Sequence, residues 1–280
     1  PNDGEYPFSG IEPTGVPKVL AETALPFSYG NLEQLKFILN DNKNEVAAVI
    51  MEPMRSDYPP QNYLSKVKEI AKENKAILIF DEVSSGWRIS VGGAQKALKV
   101  TPDISVFSKA MSNGYPMGAV VGSTKVMEPA SRMFLSSSYW SDNIGLAASV
   151  ATINLLNKNN SEVWFKDFGA TFKQKLNEVC NNYDLNIACA GIESSPYISF
   201  GNMTGRELSM ARTLCIQEMA KRGIHTNLSF HPTMAHSLKD IEETASALFE
   251  TLNVLEKSIN SNFEDFLQAP VSNDPFRRLI

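Results

Sequence analysis

Three short apolar runs, each ending in a charged residue, constrain this chain most. They are Glu45-Val46-Ala47-Ala48-Val49-Ile50-Met51-Glu52, Ala76-Ile77-Leu78-Ile79-Phe80-Asp81-Glu82-Val83, and Pro102 to Phe107, which leads into Ser108-Lys109. Such short, continuous apolar runs predict strands buried on both faces. Between the first two, Gln61 to Lys75 has helical spacing, with Leu64, Val67, Ile70 and Ala71 on one side and lysines on the other. Gly118 to Gly122 predicts a fourth short strand. Strand, helix, strand with a crossover of this length predicts a parallel α/β sheet. Glu52, Asp81 and Lys109 then all follow strands, at separations of 29 and 28 residues. Open sheets of this kind hold their ligands outside the carboxyl ends of the strands.

The flanking sequence divides the chain. The first thirty residues are rich in Pro and Gly and read as loop, and Asn31 to Leu39 reads as a short helix. Asp142 to Lys158 is helical in pattern, and the polar run Lys158-Asn159-Asn160-Ser161 is a boundary signal. Beyond it the spacing predicts a helix over 162–183, a strand over 197–200, and helices over 207–222 and 238–259. That α+β order differs from the first half, so two domains are expected, 1–158 and 159–280.

Composition narrows the classes of function. A net charge of −5 over 280 residues, with no Lys/Arg cluster, gives no nucleic-acid surface. No apolar run approaches a membrane span. The polar start Pro1-Asn2-Asp3-Gly4 shows no signal peptide, and without an initiator Met it reads as part of something longer. Cys180, Cys189 and Cys215 lack CxxC spacing, so reduced thiols in a cytoplasmic protein are expected. His225, His231 and His236 are spaced too irregularly for a metal site, and none is expected.

Lys109 and Asp81 carry the chemical signal. An amine and a carboxylate at the ends of neighbouring strands can face one crevice. There the amine can form a Schiff base and the carboxylate can hold a protonated ring nitrogen, as pyridoxal 5′-phosphate (PLP) requires. Burial of Lys109 is expected to lower its pKa toward the nucleophilic amine. From the residues alone Asp81 keeps three readings: the pyridinium partner, a magnesium ligand with Glu82 in a P-loop ATPase, or a helix cap or structural ion pair. The phosphate-loop lysine motif is absent from this sequence. Trp87 and Arg88 read as packing and an internal ion pair, and Glu52 as a buried hydrogen-bonding group.

Five short motifs together carry a family resemblance. They are Asp81-Glu82-Val83-Ser84-Ser85-Gly86-Trp87-Arg88, then Gly93-Ala94-Gln95, Thr101-Pro102-Asp103-Ile104, Ser108-Lys109, and Gly114-Tyr115-Pro116-Met117-Gly118-Ala119. In order and spacing they resemble class III aminotransferases, most of all the glutamate-1-semialdehyde 2,1-aminomutase branch. His236-Ser237-Leu238-Lys239-Asp240-Ile241 is similar to the family's C-terminal domain. The resemblance implies fold type I, with a mostly parallel sheet, helices on both faces and a smaller C-terminal α+β domain. It implies an N-terminal part that this chain lacks, because the family's Gly/Ser-rich phosphate loop is not found here.

The resemblance also assigns roles. Lys109 matches the Schiff-base lysine and proton carrier, and Asp81 matches the partner of the ring nitrogen. Val83 matches the residue on one ring face, and Ser84 a position that bonds the ring hydroxyl in some members. Ser138 aligns with a hydroxyl that reaches the cofactor phosphate of a neighbouring subunit, which implies a homodimer with the active site at its interface. The expected activity is amino transfer between an amine donor and a carbonyl acceptor. The alternative is aminomutase-type transfer within one substrate. A P-loop ATPase domain and a non-catalytic module of the PLP fold stand as rival readings. The absence of arginine from Asn227 to Ser237 speaks against an ordinary α-amino acid held there.

Overall fold

The computed structural model describes residues 15–20, 23–136 and 142–271. After helix α1 (Leu32–Asp41), strand β1 (Ala48–Met51) leads through helix α2 (Tyr63–Glu73) to strand β2 (Ile77–Asp81). A short helix α3 (Gly93–Ala97) precedes strand β3 (Ile104–Phe107), and strand β4 (Ala119–Gly122) follows. These form one sheet in the order β1-β2-β3-β4. The pairs β1–β2 and β2–β3 are parallel, whereas β3–β4 is antiparallel. The loop from Ser108 to Gly118 is short and contains only one 3₁₀ turn, so the chain doubles back beside β3.

The core of this half lies between α1, α2 and the sheet. Leu35, Leu39, Val67, Leu78 and Phe80 are buried there. The α2 face was legible as a stripe: Leu64, Val67, Ile70 and Ala71 are all buried. The expectation of strands covered on both faces fails at the margins. Ile50 on β1 is 62% exposed and Val120 on β4 is 54% exposed. Both strands end the sheet, so among the described residues only one of their flanks is paired.

Helix α4 (Thr124–Met127) leads toward α5 (Asn143–Lys158), which starts where Asp142 Oδ1 accepts the Ile144 N–H at 2.9 Å. The second half comprises helix α6 (Ser161–Cys180), strands β5 (Ala188–Ile192) and β6 (Ser195–Ser199), and helices α7 (Gly205–Lys221) and α8 (Leu238–Ile259). The strands form an antiparallel hairpin. A second core gathers Phe172, Leu176, Leu214, Met219, Leu248 and Leu252. Helix α8 begins with a capping box in which Ser237 and Asp240 bond reciprocally. Cys180, Cys189 and Cys215 are free and buried in this core. Among the described residues no helix is long and apolar enough to cross a membrane.

Gly169 seats α6 against the β5–β6 hairpin. A Cβ there would overlap the Glu193 carbonyl. Gly→Ala inside a helix normally stabilises by about 1 kcal/mol. Here the sign should reverse: Gly169→Ala should lose about 2 kcal/mol in denaturant titration, because backbone crowding outweighs propensity. A neutral or stabilised variant would contradict this packing.

Candidate active site

The parallel register sets the site. Asp81, the last residue of β2, lies opposite Val106 of β3. Lys109 follows Val106 by three residues, so amine and carboxylate emerge at the same end of the sheet. Lys109 opens a 3₁₀ turn, Lys109–Met111, with φ +48°. Trp87 (φ +60°) and Asn113 (φ +51°) share this left-handed conformation. For a non-glycine residue it costs on the order of 1–2 kcal/mol. The loop that imposes it is closed by two hydroxyls: Ser108 Oγ donates to the Met117 carbonyl and Ser112 Oγ to the Tyr115 carbonyl, both at 2.6 Å.

Four of the expected residues come together. Lys109 Nζ donates to Ser84 Oγ at 3.0 Å. Asp81 Oδ1 accepts the Val83 N–H at 3.0 Å, which folds the chain back over the carboxylate. Among the described residues Asp81 Oδ2 accepts no hydrogen bond. Ser138 lies outside the described residues. Contrary to expectation, Lys109 is exposed, because it projects past the end of β3 and no described element covers it. Glu52 is half-buried, with Oε2 3.8 Å from Arg55 Nε, so it is not the buried group expected.

Glu82 turns inward and is 0% exposed. It accepts the N–H groups of Ala94 and Gln95 and the Ser85 hydroxyl. With those lone pairs occupied it is not placed to bind a cation. Among the described residues no His/Cys/Asp/Glu group is arranged for a metal.

The sequence did not reveal how the second half reaches this crevice. Arg88 Nη2 donates to the Ser194 carbonyl at 2.7 Å, and its guanidinium carbon lies 4.7 Å from the centre of the Phe165 ring. Burial pushes its pKa down to about 10. The expected ion pair is not there: among the described residues Arg88 has no carboxylate within ion-pair distance. Phe230 N–H donates to the Pro196 carbonyl at 2.8 Å, which lays His231 alongside the Ser194–Pro196 segment and so near Arg88. Burial lowers the His231 pKa, and the positive charges of Arg88 and Lys109 lower it further. A cavity of about 240 Å³ opens beside Arg88, lined also by Tyr58, Phe165, Glu193 and Ser194. A larger one of about 520 Å³, around Trp164 and His236, holds none of the site residues.

The profile of class-III aminotransferases matches residues 18–252. The chain belongs to the class-III aminotransferase family. It is 32% identical over 254 residues to 3-aminobutyryl-CoA aminotransferase of Cloacimonas acidaminovorans (strain Evry), covering 88% of this chain and 61% of that one. It is 28% identical over 260 residues to glutamate-1-semialdehyde 2,1-aminomutase 2 of Lachnoclostridium phytofermentans, covering 86% and 61% respectively. A solved transaminase with PLP bound superimposes with a TM-score of 0.80 at 20% identity, over 89% of this chain and 61% of that one. That likeness shows the PLP-transaminase fold. The chain thus spans about three fifths of the length of the curated relatives it matches. The P-loop ATPase reading falls with the family assignment.

If Lys109 and His231 share one crevice, removing the lysine charge should raise the His231 pKa. In Lys109→Met, an NMR titration of the His231 ring should show that rise, since a cation nearby disfavours a second positive charge. An unchanged pKa would separate the two residues.

Proposed function

We propose that this chain binds pyridoxal 5′-phosphate between Lys109 and Asp81 and moves an amino group between an amine donor and a carbonyl acceptor. The observation that carries this reading is the β2–β3 register, which sets a primary amine and a carboxylate at one end of the sheet. The residues fit the group. Among the described residues Asp81 has an oxygen free for a ring N–H, and the Lys109 amine bonds a single hydroxyl. When bound, PLP supplies a reactive carbonyl and a ring that draws electrons from the substrate Cα.

Each residue then has a task. The Lys109 amine would hold the cofactor through its carbonyl and, when free, would carry a proton to and from the substrate Cα. Ser84 orients that amine through its 3.0 Å bond. Asp81 keeps the ring nitrogen protonated, and its own orientation is held by the Val83 N–H. Val83, between Asp81 and Ser84 in the chain, is assigned to one ring face. Ser138 is assigned to the phosphate of a neighbouring copy.

A homodimer is part of this proposal. Helix α5 buries only Gly145 and Ser149 and exposes Ile144, Leu146, Val150 and Leu155. Phe134 nearby in sequence is 96% exposed. An apolar surface of this extent favours association. The two domains divide at residues 158 and 159, between α5 and α6. The substrate reading turns on the C-terminal segment, where no arginine stands from Asn227 to Ser237. This supports substrates other than ordinary α-amino acids. The likeness to an aminomutase supports a second reading, transfer within one carbon skeleton. Turnover without any added carbonyl acceptor would single out that reading.

The test is borohydride reduction of the protein mixed with PLP, followed by peptide mapping. The pyridoxyl group should appear on the Lys109 peptide and be lost in Lys109→Ala, with the fold retained. Labelling elsewhere, or equal turnover in Lys109→Ala, would refute the assignment.

A further inference from the structure

Glu82 is a buried acid beside the site, with no role assigned in the transfer chemistry. Its oxygen Oε2 accepts the Ala94 N–H at 2.5 Å and the Ser85 hydroxyl at 3.0 Å, and Oε1 accepts the Gln95 N–H at 3.0 Å. Peptide N–H groups can only donate, so the site is built for an acceptor on both oxygens. Burial raises the Glu82 pKa, and these donors offset only part of that rise. Of these partners only the Ser85 hydroxyl could accept a hydrogen bond from a carboxyl proton, whereas the two peptide N–H groups each call for an accepting oxygen.

The surrounding backbone is shaped to this carboxylate. Gly93 has φ +86°, and a Cβ there would sit 2.5 Å from both carboxylate oxygens. The missing side chain of Gly93 is what lets the chain approach so closely. The rest of Glu82 is equally engaged. Its N–H donates to the Val106 carbonyl on β3, and its carbonyl accepts the Gly86 N–H at 2.8 Å, closing the turn that carries Val83 and Ser84. Gln95, held by the carboxylate, donates from its side chain to Ser105 Oγ of β3 at 2.8 Å. One residue thus ties together the end of β2, the start of α3 and, through its backbone and Gln95, the strand that delivers Lys109.

We propose that Glu82 is a positioning residue for the amino-transfer site, acting through the Val83–Ser84 turn and through β3 to hold Ser84 and Asp81 in register with Lys109. This rests on the reading of Lys109 and Asp81 as the cofactor site.

The test compares wild type, Glu82→Gln and Glu82→Asp in the full 280-residue chain. Two quantities are read: hydrogen exchange of the Ala94 and Gln95 amides without cofactor, and the absorbance band of the lysine-bound cofactor with its pH titration. In Glu82→Gln the amide group opposes at least one peptide donor, so exchange should speed up by about tenfold or more. The band should weaken and its titration shift. Glu82→Asp keeps the charge, should recover part of both signals, and carries the test if Glu82→Gln does not fold. Unchanged exchange in the variants overturns the proposal. So does faster exchange with an unaltered band and titration, which would make Glu82 merely structural. A wild type with no band at all overturns the cofactor reading instead, so the two failures are distinguishable.

Discussion

The parallel pairing of β2 with β3 is the interaction on which the rest depends. Ile79, Phe80 and Asp81 lie opposite Ile104, Ser105 and Val106. A slip of one residue would turn Asp81 to the other face and displace Lys109 from it. The register is held by burial, with Phe80 fully enclosed and Leu78 nearly so, and by Asp103, which accepts the Leu78 N–H at 2.8 Å. Fully burying such side chains contributes roughly 2–3 kcal/mol each. The sheet can therefore absorb the strain of a left-handed Lys109 at its rim.

The second half of the chain is fastened to the loops that shape the crevice. Glu162, at the start of α6, accepts from the Ser90 hydroxyl at 2.8 Å and the Val91 N–H at 2.9 Å, and lies 3.3 Å from Lys96 Nζ. Tyr58 donates to Glu193 at 2.9 Å, and the Ile192 N–H donates to the Ser56 carbonyl at 2.7 Å. Ile192 packs with Met54 and Ala94. The β5–β6 hairpin thus grips the segment after β1 and the segment around α3 together. Those segments carry Arg88 and the backbone bonded to Glu82, so the packing between the halves bears directly on site geometry.

The legible parts were those where one physical signal dominated. Continuous apolar runs placed β1, β2 and β3, and the 3.6-residue stripe placed α2 and α8. The charged residues at the strand ends stood out because nothing apolar competes there. β5 was missed because Ala188-Cys189-Ala190-Gly191-Ile192 is built of small residues, with Gly191 at φ +87°, and has little strand propensity. The antiparallel turn into β4 went unseen because strand direction is set by the connecting loop. The helical pattern of α5 was correct, yet Ile144 and Leu155 face outward, since periodicity does not say what lies opposite. Near the site, the approach of His231 and the cation–π seat of Arg88 arise from long-range contacts, and the backbone of Lys109 from the hydroxyl bonds that close its loop. Glu82 left one trace, Gly93, whose need for close approach is plain only once the carboxylate is located.

The central claim is that one ligand ring is held between Lys109 and Asp81, with its nitrogen kept protonated by the carboxylate that accepts its N–H. The most direct measurement is the nitrogen resonance of ¹⁵N-labelled pyridoxal phosphate bound to the chain at neutral pH, in wild type and in Asp81→Asn. The account predicts a protonated pyridinium signal in wild type that moves to the unprotonated position in the variant. An unprotonated nitrogen in wild type, or the same signal in both proteins, would contradict it.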